Sequence, residues 1–270
     1  MSELIADKAF DLNHTQEYIL SIQVSLDGFY FSVIHNNQLL ALEKFPVKIS
    51  ADKFLGRRFS EWLSDRDFFE KPFAETRIVY FTGKMTVVPG DFYDYDKQDD
   101  IINLIFGKQN GYTSHDNYWT ENRCNLVFSV PEQFLKEAGQ KFSEFQLIHP
   151  ATVLNQKIQP YLEDNNVIMA LYFDNNSFCH ILYSNRELKS VNCYNFTNAD
   201  DVTFYVLSLL NINNISYKDT EIILAGEIEA YDEIYNKLNR HAGKVSIIKP
   251  QVTFDPEIFI NPMHRFNTIV

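Results

Sequence analysis

The sequence predicts an α/β protein made of two copies of one unit, three antiparallel strands followed by alternating helix and strand. Three observations carry this reading. From Tyr18 to Phe45, apolar and polar residues alternate in three runs broken at Asp27-Gly28 and Asn36-Asn37. A second set of three runs, Asn166 to Phe196, is broken at Asn175-Asn176 and Ser184-Asn185. The two pairs of breaks share one offset, since 175 − 27 and 184 − 36 both equal 148. Alternation marks half-buried strands, short Asn/Asp/Gly pairs mark tight turns, and a repeated spacing of such turns marks an internal duplication.

In the first copy, YILSIQVS, FYFSVIH and QLLALEKF read as the three strands. ADKFLGRRFSEWLSDRDFF then reads as a helix, with Ser50 placed to cap it and Phe54, Leu55, Phe59, Trp62 and Leu63 at helical spacing. RIVYFTG is a buried strand, and a second helix is expected around Asp99 to Phe106. Residues 107–121 are polar and read as a surface loop, CNLVFSV as a strand, Pro131 as the start of a helix, and EFQLIH as a strand. Pro150 starts the helix ATVLNQKIQPYL, which Pro160 shortens or kinks.

The second copy repeats the plan. NVIMALYF, SFCHILY and RELKSVNCYNF are its strands, and Asn198 caps a helix through Leu210. TEIILAG, EIEAYDEIYNKLNRHAG and VSIIKP follow as strand, helix and strand. The expected domains are an N-terminal lobe, 1–155, and a C-terminal lobe, 156–270, with the helix from Pro150 to Asn165 as candidate hinge.

Composition narrows the function classes. With 45% hydrophobic and 22% charged residues the chain is globular, and 23 Phe and 15 Tyr give a ring-dominated core. A net charge of −12 disfavours nucleic acid as a general partner, because duplex binding depends on clustered Lys and Arg. MSELIADKAFDLNHTQEY does not resemble a signal peptide, and no apolar run is long enough to span a membrane, so a cytoplasmic protein is expected. Cys124, Cys179 and Cys193 lack C-x-x-C spacing and read as reduced thiols, neither a disulfide frame nor a zinc site.

A duplicated β-β-β-α-β-α unit resembles the plan of the actin-like ATPase (ribonuclease-H-like) superfamily, which includes sugar kinases, Hsp70 chaperones and actin-like pilus-assembly proteins. YILSIQVSLDGFYFSVIHNN, TGKMTVVPGDFY and HPATVLN resemble more specifically a bacterial family of unknown function within it. The resemblance covers nearly the whole chain. It implies a nucleotide cleft between the lobes, with phosphates held by Asp-x-Gly-Thr/Ser in the first meander turn and Asp-x-Gly-Gly-Thr in the second, and Mg²⁺ held by the Asp residues.

This chain departs from those motifs. The first turn reads Asp27-Gly28-Phe29-Tyr30, and the second Asp174-Asn175-Asn176-Ser177. The strand-Gly-Gly-helix element for adenosine reads IILAGEI, with Gly226 kept and Glu227 replacing the second Gly. The resulting expectation is a non-catalytic scaffold that binds protein, with no cofactor. The alternative is a divergent ATPase or kinase in which Asp27, Gly28, Asp174, Ser177 and Gly226 still hold Mg-ATP.

Other constellations carry less. Thr82-Gly83-Lys84-Met85 lacks the first Gly and the hydroxyl of a P-loop. Asp91, Asp94, Asp96, Asp99 and Asp100 lack the Gly and Glu of a calcium loop and read as a solvated stretch capping the next helix. His149, before Pro150, is read as a helix cap or core residue in preference to a catalytic one, and no Ser or Cys nucleophile motif is present. Tyr112, Tyr118 and Trp119 could form a partner surface with the acidic helix EIEAYDEIYNKLNR, or fold back as a small cluster.

Overall fold

A computed structural model describes residues 3–260 and 263–266 of the chain. A short β1 (Glu3–Ala6) precedes the first meander, β2 (Ile19–Ser25), β3 (Gly28–His35) and β4 (Gln38–Pro46). Next come α1 (Leu55–Ser64), β5 (Glu75–Tyr80), β6 (Met85–Pro89), α2 (Gln98–Phe106), β7 (Tyr112–Trp119) and β8 (Cys124–Pro131). The first half closes with α3 (Glu132–Lys141), β9 (Gln146–Ile148) and α4 (Pro150–Ile158). The second meander is β10 (Val167–Asp174), β11 (Ser177–Ser184) and β12 (Glu187–Asn195), followed by α5 (Ala199–Ile212), β13 (Thr220–Gly226), α6 (Glu233–Asn239) and β14 (Lys244–Ile247).

The two main sheets repeat one order. The first runs β1-β4-β3-β2-β5-β9 and the second β12-β11-β10-β13-β14. In both, an antiparallel meander is extended by two parallel strands from its first strand. The loops are Leu26-Asp27 against Asn175-Asn176 and Asn36-Asn37 against Asn185-Arg186, so the true offset is 149, the separation of the equivalent residues Gln23 and Tyr172. A register break recurs at the same place, Val33/Ile34 and Leu182/Tyr183.

The one-residue correction has a local cause. Gly28 opens β3, with φ +142° and its backbone pressed on β4, where a Cβ would stand 2.3 Å from the Phe45 carbonyl oxygen. At the other turn Asn185 and Arg186, not Ser184, take positive φ (52° and 62°).

Of residues 107–121, expected as a surface loop, Tyr112–Trp119 instead form the strand β7. β7 flanks β8 in a third sheet, order β6-β8-β7, so CNLVFSV is the centre of this insertion and not part of a main sheet. The polar residues of β7 are used internally. The Asn117 side chain donates to the Leu147 carbonyl and accepts from the His149 N–H, and buried Trp119 donates to the Thr152 hydroxyl at 2.9 Å. Of the two readings left open for Tyr112, Tyr118 and Trp119, Trp119 folds back into the core, Tyr112 is half-buried and Tyr118 is exposed. Ser50 caps nothing, since Phe54 holds the N-cap of α1 after a 3₁₀ turn, whereas Asn198 caps α5 as expected.

One apolar core joins the halves. Leu20, Ile22 and Val24 of β2 pack with Phe59 and Trp62 of α1 and Phe134 of α3, and the same cluster continues through Ala151, Leu154 and Ile158 of α4 to Ala170, Tyr172 and Ile181. α4 therefore lies inside the core. A separate cluster packs α5 and α6 on the other face of the second sheet. After β14 the chain returns to the first sheet, where Thr253 bridges Gln38, and Phe259, Met263 and Phe266 cover Tyr30, Ile34 and Leu42. Each such buried side chain contributes about 1.5–3 kcal/mol.

The expectation of three reduced thiols is corrected. Cys179 and Cys193 are directly opposed on β11 and β12 and joined by a disulfide, and Cys124 remains a buried free thiol. Among the described residues no helix is long and apolar enough to cross a membrane.

Candidate functional site

The first strands of the two meanders, β2 and β10, end near one another, and their loops open on a cleft of about 590 Å³. Asp27, Asp174 and Ser177 line it, with Lys48, Thr82, Gly83, Lys84 and Cys193 on the facing walls. Three of the five sequence-predicted site residues are thus brought together. Gly28 and Gly226 are not in the wall.

Both glycines serve packing. A Cβ on Gly226, at φ +82°, would stand 2.1 Å from the Phe173 carbonyl oxygen, as one on Gly28 would meet Phe45. Phosphate loops work by turning free backbone N–H groups toward the anion. Here those groups point elsewhere: the Asp27 N–H donates to the Ser25 hydroxyl at 3.2 Å, the Glu227 N–H to the Phe173 carbonyl at 3.0 Å and the Ile228 N–H to the Gly226 carbonyl at 2.8 Å. The Ser177 hydroxyl donates to the Asn195 side chain at 2.7 Å.

Asp174 is buried at the end of β10. Burial, then the charges of Asp27 and Glu227, push its carboxyl up to about 7, partly opposed by a Ser25 hydrogen bond and by Lys44. A carboxyl that holds its proton near neutrality is a weak Mg²⁺ ligand, since hard cations take ionised oxygens.

Glu227 turns away from the cleft. It accepts from Lys44 Nζ at 2.9 Å and from the Tyr30 hydroxyl at 3.2 Å, and Arg265 approaches from the C-terminal segment at 3.7 Å. Desolvation and the neighbouring carboxylates raise the Tyr30 pKa, so the phenol stays a donor. The residue replacing the second glycine has become an ion-pair anchor between the halves.

Two lysines also stand in the wall, Lys48, which the sequence did not single out, and Lys84, whose Gly83-Lys84 pair was set aside as an incomplete P-loop. Lys84 is engaged by the Gln109 side chain at 2.6 Å and lies over the Tyr112 ring, while Lys48 is exposed at the rim. Both follow strand ends without a complete phosphate motif, and only the tertiary fold brings them to the cleft. His149 is buried as the N-cap of α4, its Nδ1 accepting from the Ala151 N–H at 3.2 Å and its Nε2 meeting the Thr82 carbonyl at 2.9 Å. Burial pushes its pKa down to about 4. The capping role expected of it is observed.

Strand order and cleft position together define the actin-like ATPase fold. A protein of Bacteroides thetaiotaomicron with actin-like ATPase fold and unknown function is similar over 96% of this chain and 98% of its own, at TM-score 0.80 and 16% identity. The PilM-PilN type IV pilus biogenesis complex contains a chain similar over 93% of this one and 96% of its own, at TM-score 0.61 and 11% identity. Within that fold the chain belongs to the family described as protein of unknown function DUF3822, which matches residues 7–245. Curated protein sequences yield no match.

Proposed function

We propose that the chain is a non-catalytic scaffold that uses the actin-like shape to hold a protein partner. The observation that carries this reading is where the anion-holding groups are spent. Gly28 and Gly226 pack on neighbouring strands, and the Asp27, Glu227 and Ile228 N–H groups are engaged inside the fold. The second loop has no glycine and gives its Ser177 hydroxyl to Asn195. A core that runs unbroken through α4 from one half to the other fits a rigid platform better than a cleft that opens and closes around nucleotide. The pilus neighbour is itself part of a protein complex, which supports the partner class by likeness of fold. Cytoplasmic placement is part of the proposal.

A second reading keeps one favourable observation. The cleft still gathers Asp27, Asp174, Ser177, Lys48 and Lys84, an anion- and cation-binding set. Phosphate release from Mg-ATP separates the two. Release at background, unchanged by Asp174→Asn, is the expected result. Release above background that Asp174→Asn abolishes would place the chain among the enzymes.

A further inference from the structure

Cys179, Cys193 and His149 each offer one ligand atom, and the three atoms lie within 4.8 Å of one another. They come from β11, β12 and the N-cap of α4. Cys179 and His149 are fully buried, while Cys193 is half-buried and stands in the cleft wall, where a reagent can reach it. We propose that this disulfide is reducible and that the two thiolates, with the His149 imidazole, form a site for one thiophilic divalent cation of the Zn²⁺ type.

The donor set matches the cation. Two thiolates and an imidazole are a known zinc combination, and in a tetrahedral site such atoms stand roughly 3.5–3.8 Å apart. Once reduced, the two sulfurs, now bonded to each other, have to separate to that spacing, while the His149 ring nitrogen already lies within 4.8 Å of both. Two thiolates also cancel the charge of a divalent ion, which removes most of the cost of placing it in a buried location. The imidazole is oriented as metal-bound rings are, its Nε2–H held by a backbone carbonyl, that of Thr82. Nδ1 then carries the lone pair, and its 3.2 Å bond from Ala151 is the one a cation would replace.

The chemistry balances. A dithiol reductant delivers two electrons and two protons to the S–S bond and leaves as its own disulfide. The cation then displaces the two thiol protons to water, and its fourth position opens on the cleft beside Cys193. The bound ion would tie the second sheet to α4 and, through Thr82, to the loop after β5. In a reducing compartment disulfides are transient, so there the metal-binding form would be the resident one.

The test uses the full chain, reduced with excess dithiol, desalted anaerobically and titrated with Co²⁺ as a spectroscopic stand-in for Zn²⁺. The expected result is one Co²⁺ per chain with a thiolate charge-transfer band, and no binding to the oxidised chain. Cys193→Ser should abolish the band and Cys124→Ser leave it unchanged. His149→Gln keeps an acceptor at the start of α4, and should weaken binding and shift the visible bands. Where a variant fails to fold, the reduced wild-type chain decides, since Zn²⁺ should shield both thiols from alkylation as read by mass spectrometry. A pair that resists reduction, a reduced chain that binds no Co²⁺, thiols that Zn²⁺ leaves unshielded, or binding indifferent to Cys193→Ser or His149→Gln would overturn the proposal.

Discussion

Gln23 donates its side-chain N–H to the Tyr172 hydroxyl at 2.9 Å, and the two residues occupy the same place in the two copies of the repeat. Two positions further along, the equivalent pair Ser25 and Asp174 is also hydrogen-bonded. The copies thus meet through their corresponding strands, β2 and β10, at the floor of the cleft. Removing the acceptor should loosen this contact without unfolding either half. We expect Tyr172→Phe to cost about 0.5–1.5 kcal/mol in chemical denaturation, with an unchanged far-ultraviolet spectrum.

Asp174 makes stability depend on pH in an unusual direction for a carboxylate. Its folded pKa is raised to about 7, against roughly 3.9 in an unfolded chain. The fold favours the protonated form, so this contribution is complete below about pH 4 and is lost as pH rises through 7. We expect stability to fall between pH 5 and pH 8 by on the order of a few kcal/mol. Asp174→Asn should flatten that fall and be the more stable protein at pH 8, as measured by denaturant midpoints across the range.

Glu227 and Lys44 form a partly exposed pair at 2.9 Å, so solvent screening limits its strength. Either Glu227→Ala or Lys44→Ala should cost about 1 kcal/mol, and the double variant little more than either alone. Glu227→Gly, which rebuilds the Gly-Gly pair, should create no affinity for ATP, because the Asp27 N–H and the Ser177 hydroxyl stay engaged in the fold and the second loop still lacks its glycines. Thermal melts of the alanine variants and a nucleotide titration of Glu227→Gly check this.

Gly28 and Gly107 both have positive φ, but only Gly28 is crowded, with the Phe45 carbonyl oxygen 2.3 Å from its Cβ position. Nothing lies within 4 Å of the corresponding position at Gly107. Gly107→Ala should therefore cost only the strain of a backbone conformation that glycine alone adopts freely (φ 77°, ψ 169°), on the order of 1–3 kcal/mol. Gly28→Ala should cost clearly more, since β4 must shift, and denaturation of the two variants under the same conditions makes the comparison.

The repeated order of elements was legible because β2, β3, β10 and β11 are apolar runs bounded by Asn- and Asp-containing turns. A turn is harder to place than a strand. Reading the last turn at Ser184-Asn185 instead of Asn185-Arg186 shifted the pairing of β11 with β12. With the register break at Leu182/Tyr183, it hid that Cys179 and Cys193 are opposed. β7 was missed for another reason: its polar side chains bond inside the protein, so polarity did not mean exposure. Asp27, Asp174 and Ser177 were found at the cleft because they sit in or beside the turns themselves, whereas Lys48 and Lys84 reach it only through tertiary folding.

The central claim is that the Asp27, Glu227 and Ile228 N–H groups and the Ser177 hydroxyl are spent on partners within the fold and leave no phosphate cradle. Calorimetric titration of the full chain with Mg-ATP tests it most directly. The account predicts no heat of binding up to millimolar nucleotide. Micromolar binding that Asp174→Ala removes would contradict it.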